Sequence, residues 1–133
     1  MKNPIHDLDL LIQSMNPRLH SGTFAFVSVS DQNELRNAEI IASILEDESF
    51  SAVIREADAE ALGLPVLFHA AWITLTVHSD LQAVGLTAAF SGALAKAGIS
   101  CNVVAGAYHD HLFVPVEQAE EAINVLKALQ ASE

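Results

Sequence analysis

Two stretches of this chain carry side chains whose types and spacing could do chemistry. The first is Ser79 to Leu86, SDLQAVGL, which joins a strand-like run to a helix-like one. A corner of that kind leaves backbone N–H groups unpaired at the start of the helix and turns the positive end of its dipole outwards, which suits a carboxylate. Gly85 permits close backbone approach or an unusual dihedral, and Ser79 or Asp80 either caps the helix or receives an ammonium group. The second is the trio His78, His109 and His111. His109 and His111 stand two apart, which in an extended strand turns both imidazoles to one face, and His78 ends a strand expected to pair nearby; three such ligands suit zinc. Against a metal, His-Asp-His is also an ordinary polar turn, and no fourth ligand is signalled.

The remaining reactive residues point to less. Asp110 beside a histidine has the makings of an acid–base pair, but sequence neighbours on a strand point apart. Cys101 lies in an apolar strand and reads as a buried, inert thiol. His20 and His69 read as surface or satisfied core residues, and Trp72 as packing on a sheet face or at a subunit contact. No phosphate-binding glycine loop, carboxylate pair or Ser-His-Asp spacing appears, so a non-catalytic protein without a cofactor is expected.

The elements that must position these residues follow from periodicity. Ile73, Leu75 and Val77 alternate with Trp72, Thr74, Thr76 and His78, the period of a strand. From Leu86 the apolar residues Ala89, Phe90, Ala93, Leu94 and Ala97 fall at helical spacing, and Gly98 marks the stop. Ile99 to Tyr108 and Leu112 to Val116 read as two strands, with a hairpin turn on His109, Asp110 and His111. Upstream, Asn3 and Pro4 cap a helix bearing Leu8, Leu11, Ile12 and Met15, which Pro17 ends. Thr23 to Val29 and Phe50 to Arg55 read as strands, with a helix between them on Ala38, Ile41, Ala42 and Leu45. LGLPVLFHA leads into the central strand. A last helix buries Ala119, Ala122, Ile123, Leu126 and Leu129, with Glu117, Glu120 and Glu121 near its positive end.

The strand ITLTVHSDL, the glycine loop AVGL, the helix end LAKAGIS and the strand CNVVAG together resemble an ACT domain, and HDHLFVP is similar to the turn and third strand of small ACT proteins. The resemblance implies an α/β, ferredoxin-like fold of β-α-β-β-α-β order, an antiparallel sheet with helices on one face. An offset of 49 residues sets Ser30, Asp31, Leu45 and Ser51 against Ser79, Asp80, Leu94 and Ser100, which implies two ACT-like halves. The first, residues 1–71, is degenerate, with Glu34 and Arg36 where the second, 72–133, has Ala83 and Gly85. In the family the ligand lies between this loop and the second strand of a neighbour. That implies a site of His78, Ser79, Asp80, Ala83, Val84, Gly85, Leu86, Asn102 and Val103 for an amino acid or similar small molecule, and a homodimer or tetramer joined at sheet edges. Asn102 offers both donor and acceptor. The alternatives are a ligand-free oligomerisation module and a metal protein using the three histidines.

The totals set limits. The 133 residues and 14.2 kDa suffice for one domain or two very small fused ones, and a hydrophobic fraction of 51% excludes disorder. A net charge of −11, from 6 basic and 17 acidic residues, repels nucleic acid and anionic lipid. Nine of those 17 acidic residues lie between Asp31 and Glu60, as a solvated face. The single Cys101 precludes an internal disulfide, and MKNPIHDLD lacks the regions of a signal peptide, so a cytoplasmic protein is expected. The uncharged run Ala61 to Ser79 reads as strands and not as a membrane span, because Gly63, Pro65 and the alternation interrupt it.

Overall fold

The computed structural model describes residues 7–132, so the expected cap at Asn3 and Pro4 lies outside the described residues. In chain order the elements are α1 (Leu8–Ser14), β1 (Pro17–Leu19), β2 (Phe24–Val29), a 3-10 turn (Gln32–Leu35), β3 (Ile40–Leu45), β4 (Phe50–Arg55), α2 (Glu56–Ala61), β5 (Phe68–Leu75), α3 (Leu86–Lys96), β6 (Asn102–Ala105), β7 (Asp110–Pro115) and α4 (Ala119–Ser132). The described strands form one antiparallel sheet of order β3-β4-β2-β5-β7-β6, with β1 added beside β5.

That order contains two ferredoxin-like units sharing a strand. In the first, β2, β3, β4 and β5 stand in the order fourth-first-third-second as β5-β2-β4-β3; in the second, β5, β6, β7 and the N-terminal β1 stand in the same order as β1-β5-β7-β6. One strand closes the first unit and opens the second. β5 manages this by length, for Phe68 to Ala70 pair with β2, Ile73 to Leu75 with β1, and Ala70 to Leu75 with β7 on its other edge.

Alternation along the strands sorts the core into two sides. One side carries Ile73, Leu75, Leu112 and Val114, covered by α1, α3 and α4 through Leu11, Phe90, Leu94 and Leu126; it continues over the first unit as Ala25, Val27 and Ile54 beneath α2 and its Ala59. The other side, without a helix, gathers Phe24, Val53, Ala70 and Phe113 with Phe26, Ile41, Phe68 and Trp72. The sheet curls over that side, so that Ala42 to Ile44 of β3 and Val103 to Ala105 of β6, strands from opposite ends of the order, line one apolar groove of about 490 Å³.

Four sequence expectations are corrected. The segment Ala38 to Leu45 is not a helix; it leads into the edge strand β3 (Ile40–Leu45), whose register against β4 slips between Ile40 and Ala42. A bulge adds one residue to a period of two, so apolar positions at 38, 41, 42 and 45 imitate helical spacing. The central strand ends at Leu75, leaving His78 in the loop that follows. The hairpin turns at Gly106 to His109, where the Gly106 N–H donates to the His109 carbonyl at 2.9 Å, so Asp110 and His111 belong to β7. Finally, the offset of 49 fails, because Leu45 lies in a strand where Leu94 lies in a helix. It also sets Ala25, beneath the helices, against Thr74, on the helix-free side, and an odd shift along a strand reverses every face. The sheet does contain two units, but their relation is one of topology.

Candidate functional site

Beyond Leu75 the chain is tied to α1, since the Thr76 N–H donates to the Met15 carbonyl at 2.8 Å and the Thr76 hydroxyl to the Asn16 carbonyl at 3.0 Å. It then turns on Asp80, whose Oδ1 accepts from the Gln82 N–H at 2.7 Å and whose carbonyl accepts from the Ala83 N–H at 2.9 Å. Gly85 is the N-cap of α3, with φ +101°, and has no side chain to accept from the first helical turn. The glycine expected to take an unusual dihedral therefore does so, and neither Ser79 nor Asp80 is the cap residue.

Above this corner lies a small cavity of about 80 Å³, lined by Ser79, Asp80, Ala83, Leu86 and Thr87 of the loop and helix, and by Ala105 and Asp110 of the β6–β7 hairpin. Asp110 stands between Leu75 and Ala105 in the sheet register. Burial pushes its carboxyl above the ordinary carboxylate range, while His111 and His109 pull it back down. The cavity thus has two carboxylates, two hydroxyls and a helix start within its walls.

Other expected site residues are dispersed. Val84 is 84% exposed and does not line the cavity. The His78 ring lies against Tyr108, with centroids 5.2 Å apart. Asn102 pairs with Phe113, three residues along β6 from Ala105 and so about 10 Å from the cavity at the rise of a strand. Val103 lines the groove between β3 and β6. Within one chain Asn102 and Val103 do not meet the loop. The three histidines are not gathered either, because His109 donates from Nδ1 to the Val77 carbonyl at 3.1 Å while His111 turns to Trp72 and Thr74. Among the described residues no group of three or more His, Cys, Asp or Glu side chains could hold a metal ion. Cys101 is half-buried, and burial pushes its thiol up to about 11, which makes it a poor nucleophile.

The corresponding corner of the first unit is filled by its own side chain. One oxygen of the Glu34 carboxylate accepts from the Ser30 N–H at 3.0 Å, the Ser30 hydroxyl at 2.9 Å and the Asp31 N–H at 3.0 Å, and these bonds, the hydroxyl's foremost, hold the carboxyl below its ordinary range. The loop from Thr76 to Gly85 contains no glutamate.

Two residue groupings escaped the sequence. Asp110 reaches the loop only through the β6–β7 register, which a turn centred on His109 to His111 conceals. The helix-free side also assembles His20, Trp72, Thr74 and His111: His20 stacks on Trp72 with centroids 3.5 Å apart, and the Thr74 hydroxyl lies 2.7 Å from His20 Nε2 and 3.0 Å from His111 Nδ1. These side chains lie up to 91 residues apart in the chain, from His20 to His111, and no local pattern announces them.

Two ACT-domain family models match the sequence, one over residues 3–71 and the other over 68–128. The chain belongs to the ACT domain family. The matches overlap at 68–71, inside the strand that the two ACT units share. The ACT fold is similar to that of the Vibrio cholerae protein of unknown function VC0802, described as a possible transport protein, with 44% identity, a TM-score of 0.84, and 92% of this chain and 95% of that one covered. The regulatory subunit of aspartate kinase from Thermus thermophilus matches with a TM-score of 0.69 at 12% identity, over 87% of this chain and 97% of that one. Aspartokinase III of E. coli, in complex with aspartate and ADP, matches with a TM-score of 0.64 at 15% identity, over 85% of this chain and 32% of that one. At such identities the last two show a shared fold. No curated protein matches. Among the described residues no helix is long and apolar enough to cross a membrane.

Proposed function

We propose that this ACT protein is a non-catalytic, cytoplasmic regulatory module that binds an amino acid at the Ser79–Leu86 corner. The observation that carries this reading is the contrast between its two corners. Glu34 supplies a carboxylate to the backbone N–H groups of Ser30 and Asp31 at the corner where β2 enters the 3-10 turn of the first unit, whereas the loop of the second corner has no glutamate and lines a cavity. A ligand carboxylate at the start of α3 takes the role that Glu34 plays internally, and Asp110 and Asp80 then face its ammonium group. The small cavity favours a small amino acid, or one whose side chain projects toward a second copy. Asn102 and Val103 serve the loop of such a copy, as family geometry implies. Functionally the chain divides into residues 1–71 and residues 72–133, with ligand binding confined to the second.

A thermal-shift screen of the full chain against the twenty amino acids tests this. A ligand at about 100 times its dissociation constant stabilises the folded state by roughly 2.7 kcal/mol, a rise of several degrees in Tm. The response should fall in Asp110→Asn and vanish in Ala83→Glu, which brings a carboxylate of its own to the loop. A chain indifferent to every amino acid would overturn the reading.

Self-association has separate support. In a chain of net charge −11, the edge strands β3 (IIASIL) and β6 (NVVA) carry no charge at all, and Ile44 and Leu45 are 64% and 80% exposed. Sheet edges that stay unpaired are normally protected by charge or proline. A homodimer or tetramer joined at these edges is therefore expected, and Ile44→Lys should lower the mass measured by light scattering towards 14.2 kDa. An unchanged mass, or a wild-type monomer, would exclude β3 as the joining edge.

A further inference from the structure

One arrangement of hydrogens serves the closest contacts of the helix-free cluster. Trp72 Nε1 can only donate, and it lies 3.1 Å from His111 Nδ1, so that nitrogen accepts and carries no proton. Thr74 Oγ1 lies 3.0 Å from the same nitrogen, so the hydroxyl hydrogen must go there. The Thr74 oxygen is then left to accept from His20 Nε2 at 2.7 Å. With Nε2 donating, His20 Nδ1 is the acceptor, and the Arg18 guanidinium stands 3.3 Å from it and 3.4 Å from Nε2. Both imidazoles are therefore neutral, each with its unprotonated nitrogen already in use. A proton added to His111 Nδ1 would oppose the Trp72 N–H, and one added to His20 Nδ1 would oppose the Arg18 cation. Thr74 itself is only 5% exposed, so water has little room to repair the loss.

This cluster bridges the end of β1 to β5, on the side of β1 away from α4. β1 pairs with β5 over three residues, and the chain leaves it through the His20 N–H, which donates to the Trp72 carbonyl at 2.9 Å beneath the stacked rings. We propose that His20, Trp72, Thr74 and His111 form an acid-released latch, which binds β1 to β5 when both histidines are neutral and frees it when either takes a proton. The charged and titratable groups around it act mostly in one direction. Arg18 on β1 and Arg55 on β4 oppose a proton on His20, as does His111; His109 opposes one on His111, and Asp110 alone favours it. Burial is the leading cause for both rings, and it brings His20 down from 6.5 to about 4. A histidine whose folded value is depressed gives stability that is complete above its unfolded value and lost as pH falls towards the folded one. The window is therefore below 6.5 and reaches its end near 4 for His20.

Amide exchange of the full chain, read residue by residue, tests the latch. Corrected for intrinsic rates, protection of the His20 amide should fall on the order of ten-fold between pH 7 and pH 5, while amides of Phe90 and Leu94 in α3 keep theirs. Fluorescence of Trp72, the only tryptophan, should change over the same range as the stacked ring leaves. His20→Phe keeps a ring on Trp72 but takes no proton, so its β1 amides should lose most of this pH dependence. Nitrogen chemical shifts of the wild-type imidazoles at pH 7 provide a check that needs no variant. An Nδ1 proton on His111, protection at His20 that is constant with pH, or a His20→Phe protein with the wild-type response would each overturn the proposal.

Discussion

Phe113→Ala should cost about 3–5 kcal/mol of stability, the range for deleting a fully buried aromatic side chain and leaving a cavity behind. Phe113 is 0% exposed and sits at the centre of the helix-free side, edge-on to Phe26 with centroids 5.4 Å apart and roughly parallel to Trp72 at 6.2 Å. Among the described residues no helix lies over this side, so the curl of the sheet is what can close on the void. In thermal unfolding the loss amounts to a drop in Tm of roughly 10–15 °C for a chain of this size, and urea titration should give the same free energy. A loss below about 1 kcal/mol would mean that this side repacks freely and that the curl is soft.

The second large effect is expected at Gly85, where conformation and packing act together. Its φ of +101° lies where a residue with a side chain is strained, and an added Cβ would stand 3.0 Å from Leu8 Cδ2 of α1. Gly85→Ala should therefore destabilise by about 2–3 kcal/mol, of which roughly 1–2 is backbone strain and the rest is displacement of α1. The two parts separate in a double-mutant cycle. Leu8→Ala in the same chain should recover the packing part and leave the strain, and purely additive losses would show that Leu8 does not press on the loop. Gly85 is consequently a poor position for probing a ligand, since any change there also disturbs α1.

The sequence disclosed most where a pattern was local. Leu86 to Ala97 followed by Gly98 marks α3 because an apolar stripe and a left-handed stop are both written in consecutive residues, and Gly98 indeed takes φ +75°. β2, β4 and the burial face of α4 were legible for the same reason. The bulge at Ile41 defeated that logic by changing the period within one strand, and α2 was silent because EADAEA buries only Ala59. β1 is three residues long and exists only because β5 lies beside it. At the candidate site, the loop and its glycine could be read, whereas Asp110 depended on hairpin register. The sharing of β5 was not legible, since it is a property of pairing rather than of residues.

The order in which the chain is synthesised runs against the order in which it can be completed. β1, which closes the second unit, is made near the beginning, yet its partner β5 begins only at Phe68, and α1 is secured by Gln130, whose amide donates to the Gln13 carbonyl and to Asn16 Oδ1, both at 2.7 Å. Closing such long loops costs little more than closing short ones, because the entropy grows only with the logarithm of length. What it imposes is a wait. The first unit has all its strands once β5 has left the ribosome, but α1 packs against α4 as well as α3, so a nascent chain stalled before α4 leaves the apolar face of α1 incompletely covered and open to chaperones or to aggregation.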